Sequence, residues 1–423
     1  MRLFPLFQNF AAKLTATCRG FHGLRLRLSR NSILNTFLRR ITWLFLLIGS
    51  VPLIAGNPLQ LPEQVNDRLL AALEANYRMD FAAGAAELES LRKWEDQHPM
   101  IPFGQLLIEW WKVTAAVWEE DEDLCAPMLA AAEHSLGRAE TLIAKGDPTG
   151  EGHMIKGATL GLLGRWHIKN RRWWKSYTVG KDAKSNLKRA IEINPEIYDA
   201  LAGIGIYDYF VAKLPGIVRW LAFTGQSADP ADGMRLILES IDKGTYTPVG
   251  TRAALALVQL RNELDPLAAM KLADELIAEH PHSPFFGSLR LIALYDSNQT
   301  EALAEEAQRQ AELLSAGDYP AERAAQVHFA AGLAEFRWMN WEKAETAYKK
   351  AIEHGHPTDP FVTWATLHLG NMKDVRGDRR GARAIYREVE NLLNRWGTER
   401  LAERYLKKPF DPTIHQVRLL PDG

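Results

Sequence analysis

Between Arg165 and Lys184 the sequence places seven Lys or Arg and four aromatics, Trp166, Trp173, Trp174 and Tyr177, against a single acid, Asp182. Indole rings beside fixed positive charge suit an anion or the boundary of a lipid layer: the ring supplies contact area and the cation meets the headgroup. Projected as one helix, Trp166, Trp173 and Tyr177 share a face while Arg165, Lys169 and Arg172 share another. The same pattern describes a helix that docks its aromatics on a core and leaves a solvated basic side. A second aromatic group follows at Tyr207, Tyr209 and Phe210, and a third at Arg219, Trp220 and Phe223, after Pro215 and Gly216. Together they make a basic rim around an aromatic floor, suited to an anionic ligand, an acidic peptide or a lipid headgroup. The candidate binding residues are therefore Arg165, Trp166, Lys169, Arg172, Trp173, Tyr207, Tyr209, Arg219 and Trp220.

Other groupings carry less chemistry. Gly203-Ile204-Gly205 lacks the third glycine of a dinucleotide cradle, which is replaced by Asp208, and the residues before it read as helix rather than strand. Its two glycines instead let helices cross closely, with Tyr207, Tyr209 and Phe210 packed around the crossing. His280-Pro281-His282 and His354-Gly355-His356 fall at helix ends, where His caps the last carbonyls and Pro stops the helix. Neither has a Cys or carboxylate at ligand spacing, so no metal site is expected. The pair Glu305–Glu306 reads as the solvent side of a charged helix. No HExxH, Walker or Gly-x-Ser-x-Gly pattern occurs, so neither an enzyme nor a cofactor is expected.

The elements that must carry these residues are helices throughout. From Asn66 to Glu403, segments of helical period alternate with Pro, Gly or Asp-Gly turns, and no β-branched alternation appears. Gly332, Ala344, Tyr348 and Ala351 recur in the same spacing as Gly370, Ala382, Tyr386 and Val389. Small residues at those intervals let two helices and the first helix of the next unit approach, and the aromatic fills the gap. The same offsets give Ala72, Gly84, Leu88 and Leu91 in a first unit, with Asp80 as the N-cap of its second helix. A second unit runs from Phe103 to Lys145 around the acidic linker Glu119 to Asp123. Ala183, Leu187 and Ala190 close a third, Gly205, Gly233, Ile237 and Ser240 mark a fourth, and Ala269, Ala273 and Leu276 a fifth. The sixth, Phe285 to Leu314, is degenerate. Units three and four hold extra residues near 164–182 and 214–230, and long insertions in compact arrays are more often functional than idle.

This pattern resembles the tetratricopeptide repeat family over most of the body, with His328 and Trp364 close to the place of the family's large residue in each first helix. The segments GIGIYDYF (203–210), LPG (214–216) and DGMRLILES (232–240) are similar to a subgroup of exported or envelope-associated bacterial tetratricopeptide proteins. A more distant likeness is to mitochondrial outer-membrane and inclusion-clearance members. The resemblance implies an all-α, right-handed superhelical solenoid of antiparallel helix pairs with a scaffold or binding role and no catalytic residues to carry over.

Charge divides the chain. Of 51 basic and 52 acidic residues, eight basic ones and no acid precede Glu63, so the remainder carries nine more acids than bases. An acidic body argues against a nucleic-acid partner. Arg39 and Arg40 precede the apolar run Ile41 to Ala55 and the breaker Gly56-Asn57-Pro58, the order of a secretory signal. Such a run reaches about 22 Å as a helix, short of the ~30 Å hydrocarbon layer. Leu53 is large for the cleavage rule, so an uncleaved anchor extended through Leu59 and Leu61 stays open, as does a mitochondrial transit sequence. The expected organisation is a basic leader over 1–62, a repeat domain over 63–408 and a tail over 409–423. Cys18 and Cys125 fall in different parts, leaving no disulfide within the body. The expected function is that of an exported or membrane-anchored scaffold holding a protein or peptide partner in its concave face. The alternative is a carrier or sensor of a lipid or cell-wall fragment, seated between the two insertions.

Overall fold

In the computed structural model, helices start where Asp precedes Pro. Asp229, Asp265 and Asp359 accept from the amides of Ala231 (2.9 Å), Ala268 (3.0 Å) and Phe361 (2.8 Å), and the following Pro occupies the first turn, where no amide is needed. Asp80 caps its helix in the same way, through Ala83 N at 3.0 Å. The structure describes residues 57–423 apart from 95–97, 117–121, 171, 214–228, 357–358, 393–396, 413–418 and 420–423. The apolar run 41–55 therefore lies outside the described residues. Among those described, no helix is long and apolar enough to cross a membrane.

Seventeen α-helices are described, with no strand among them. They are α1 (Glu63–Tyr77), α2 (Phe81–Trp94), α3 (Met100–Ala116), α4 (Glu122–Ala144), α5 (Glu151–Lys169), α6 (Trp173–Ile193), α7 (Asp199–Ala212), α8 (Pro230–Lys243) and α9 (Pro248–Val258). After a π-helical turn, Gln259–Glu263, come α10 (Pro266–Glu279), α11 (Pro284–Asp296), α12 (Thr300–Ala316), α13 (Ala324–Arg337), α14 (Trp341–His354), α15 (Pro360–Val375), α16 (Arg379–Asn391) and α17 (Thr398–Lys407). The all-α class is as expected. Consecutive helices pack in hairpins, α1 with α2 through α15 with α16, and first helices touch the first helix of the next hairpin, as α1 does α3 and α13 does α15.

The turns inside four of these hairpins repeat one geometry. Met79, Asn298 and Met339 adopt left-handed φ of 63°, 58° and 57°, a place taken in the eighth hairpin by Gly377 at 79°. The next residue's amide donates back five residues in each case: Asp80 to Ala75 (2.9 Å), Gln299 to Leu294 (3.0 Å), Asn340 to Glu335 (2.9 Å) and Asp378 to Lys373 (2.9 Å). This closure satisfies the last carbonyls of the first helix. It also gives the sixth hairpin, α11 with α12, the same turn as the seventh and eighth.

All six non-glycine residues of the two signature sets are fully buried. The Tyr348 ring covers Gly332, and a Cβ on Gly370 would lie 2.5 Å from Cε1 of Tyr386. One apolar core runs from Leu59 to Ala293 and another from Leu291 to Leu419, meeting on α11. Leu59 and Leu61 belong to the first of these, 2% and 4% exposed, and the Asn194 side-chain amide donates to the Pro58 carbonyl at 2.5 Å. Both leucines named in the expected anchor extension are packed in the body's own core. The compact unit starts at Asn57 rather than at 63. At the other end Phe410 packs on Tyr405 and Phe336, and the Leu419 amide donates to Asp296.

Two polar expectations also change. Glu305 is exposed, but Glu306 is fully buried and accepts from Arg290 (2.9 Å), Arg309 (2.7 and 2.9 Å) and Gln310 (2.8 Å). A buried carboxylate needs such partners, and two arginines supply them. His354 does cap, its Nδ1 lying 2.9 Å from the Lys350 carbonyl. The His280 ring instead sits in the core between Tyr77 and Phe286, with Glu74 3.3 Å away.

A candidate binding surface at the α5–α6 and α7 turns

The stretch 164–182 is not an inserted loop. It lengthens two helices, α5 and α6, which meet at a short turn around Asn170. Asn170 ends α5, its backbone and side-chain amides both bonding the Trp166 carbonyl, and the Arg172 amide donates to His167 O at 2.8 Å. The turn resets the helical phase, so the single-helix projection of this segment is corrected.

Trp166, near the end of α5, is 4% exposed and packs with Leu106, Trp110, Cys125 and Met128 in a small core of its own. Trp173 and Trp174 open α6 and stand 61% and 68% exposed, beside Ile168 at 42%. Arg165 is half-buried with its guanidinium 4.9 Å from the Trp110 ring centre, and Arg172 is exposed, 5.0 Å from that of Trp166. Both cations thus cover the buried indoles. Lys169 is half-buried and Lys175 exposed. Burial first, then Lys175 and Arg172, push His167 down to about 4, so it stays neutral beneath this cluster.

The next turn is tied to the first through side chains. On α6, Ser176 bonds the Gly164 carbonyl at 2.8 Å, and the buried Lys184 ammonium meets the buried Asp208 carboxylate at 2.5 Å. Tyr207 lies against Gly180, half-buried, its phenol pushed up to about 12 by burial and then by Tyr177 and Asp208. Tyr209 is buried and donates to Glu263, which also holds Lys213 at 2.5 Å. Its hydroxyl is therefore committed to the fold. Phe210 remains 38% exposed at the end of α7. Leu264 and Leu267, beyond Glu263, are 39% and 54% exposed.

The candidate list thus separates. Trp173 and Arg172 come together at the α5–α6 turn with Lys169 behind them; Trp166 and Tyr209 are core; Tyr207 is half-buried between α6 and α7. Arg219, Trp220 and Phe223 lie outside the described residues. Trp174, the most exposed indole described, was absent from the candidates because a continuous helix gave it no special face. The signal for it was Asn170 as a helix stop before the Trp pair.

The first helices offer less open surface than the expected concave groove. Tyr77 and Trp111 pack on Phe285 and Phe286 across the body, the Tyr246 hydroxyl donates to Asn66 at 2.7 Å, and α15 is buried along most of its length. No family model matches the chain, and no curated protein matches it.

Proposed function

We propose that this chain is a non-enzymatic scaffold of tetratricopeptide type, a right-handed superhelical solenoid exported on its basic leader, that holds a partner at the turn edge of its third to fifth hairpins. The observation that carries this reading is the contrast between two surfaces. Tyr77, Trp111, Phe285 and Phe286 of the first helices are spent on one another, whereas Ile168, Trp173, Trp174, Phe210, Leu264 and Leu267 stand open at successive turns. Exposed large apolar side chains at successive turns of this kind suit an interaction site. Side-chain ties through Lys184–Asp208 and Tyr209–Glu263–Lys213 hold those turns in one place, so the surface is preorganised. Hairpins packing on their neighbours and the recurrent turn geometry support the solenoid.

Export is carried by Arg39, Arg40 and the run 41–55, which ends where the folded unit begins at Asn57. A reporter active only outside the cytoplasm, fused after Gly423, should lose its activity when 41–55 is removed. For the binding edge, a photo-crosslinking residue in place of Trp174 in living cells should give an adduct, protein or lipid by mass spectrometry, that the same residue at His328 does not. Adducts at His328 alone, or none at Trp174, overturn the reading.

A further inference from the structure

We infer that the α5–α6 turn is a membrane-surface docking element, in which Trp173, Trp174 and Ile168 enter the interface of a bilayer carrying anionic headgroups. The inference rests on the turn edge being the working surface and names its occupant. Among the described tryptophans Trp110, Trp166 and Trp364 are buried and Trp338 is 49% exposed, whereas Trp173 and Trp174 are adjacent indoles each more than half exposed. An indole left open in this way has an apolar body and one N–H donor, the chemistry of the headgroup boundary.

Geometry supports the same occupant. Helices α5 and α6 have 19 and 21 residues, against 14 each in α7 and α8 of the next hairpin. The extra residues correspond to about 7 to 10 Å of helix, the depth to which interfacial elements bury their apolar face. The preceding hairpin, α3 and α4, is as long, with 17 and 23 residues, and its Leu106, Trp110, Cys125 and Met128 bury Trp166 near the end of α5, so the step in length falls between the third and fourth hairpins. Arg172 and Lys175 flank the indoles and are exposed, as is Lys181 further along α6. These cations favour phosphate headgroups. The link between α3 and α4 and the first two residues of α4 together carry five acids, Glu119 to Asp123. The indoles and Ile168 therefore supply more of the attachment than charge does.

The test uses residues 57–423, which form a compact unit with their own core, and vesicles of phosphatidylcholine and phosphatidylglycerol in equal parts. Co-sedimentation should be seen with these vesicles and weaken with salt. It should fall about tenfold or more in Trp173→Ala/Trp174→Ala, with the melting temperature unchanged. Brominated lipids should quench Trp fluorescence in the wild type and not in the double variant. Undiminished binding by the double variant, or no binding by the wild type, overturns the inference. A protein adduct at position 174 in cells without vesicle binding leaves the turn edge as the working surface and removes only the bilayer as its occupant. Loss of both removes both.

Discussion

Gly205 on α7 and Gly233 on α8 face each other so closely that a Cβ on Gly205 would lie 2.6 Å from the Gly233 carbonyl oxygen, and one on Gly233 2.8 Å from that of Gly205. Both obstacles are backbone, so no side chain can turn aside to make room. Gly205→Ala and Gly233→Ala should each cost about 1 to 3 kcal/mol, read as a lower urea midpoint at unchanged slope. A loss under about 0.5 kcal/mol in both would mean that the crossing is looser than described.

The tryptophans at the α5–α6 turn should divide sharply by stability. Trp166→Ala removes a buried ring and should cost about 3 to 5 kcal/mol. Trp173→Ala and Trp174→Ala change exposed rings and should each stay within about 0.5 kcal/mol of wild type by the same denaturation measurement. A large loss in either of the latter two would place that ring in the core and remove it from the binding surface.

His368 is fully buried among Tyr295, Phe329, Phe336, Tyr348 and Trp364, and burial, then Arg337, lowers it to about 3. Its folded value lies below the unfolded one near 6.5, so the unfolded chain binds the extra proton. Stability from this group is complete above about pH 6.5 and drains away as pH falls toward 3. Between pH 7 and 5 it should lose about 2 kcal/mol, and His368→Phe should flatten the profile by that amount. An equally steep profile in the variant would show that other groups set it.

Met339 holds a left-handed φ of 57° with its side chain 67% exposed, at the place where Gly377 serves the next hairpin. Met339→Gly relieves that conformation and forfeits little packing. It should raise stability by about 0.5 to 1 kcal/mol, measurable as a higher melting temperature. A lower one would mean that the methionine side chain makes contacts worth more than the strain.

What was legible in the sequence was the set of small residues and aromatics that fix helix crossings, since Gly205, Gly332 and Gly370 can be read one hairpin at a time. Their local spacing is the contact. The phase of the basic-aromatic segment was misread because a stop at Asn170, a matter of one turn, moves every following side chain around the axis. Glu306 was invisible for another reason. Its partners come from α11 and from its own helix, and Gln310 beside it is bonded in turn by Gln326 of α13. No spacing within α12 announces a carboxylate that three helices enclose. The closing of Tyr77 and Trp111 on Phe286 escaped likewise, since residues so far apart in sequence share no pattern.

The Asn194–Pro58 hydrogen bond gives α6 the role of a spacer. One end of that helix holds the chain at Pro58 and the other carries Trp173, about 30 Å away for 21 residues. The distance between the N-terminal edge of the folded unit and the exposed indoles is thus set by a single element, and a proline placed midway along α6 would alter it without touching either contact.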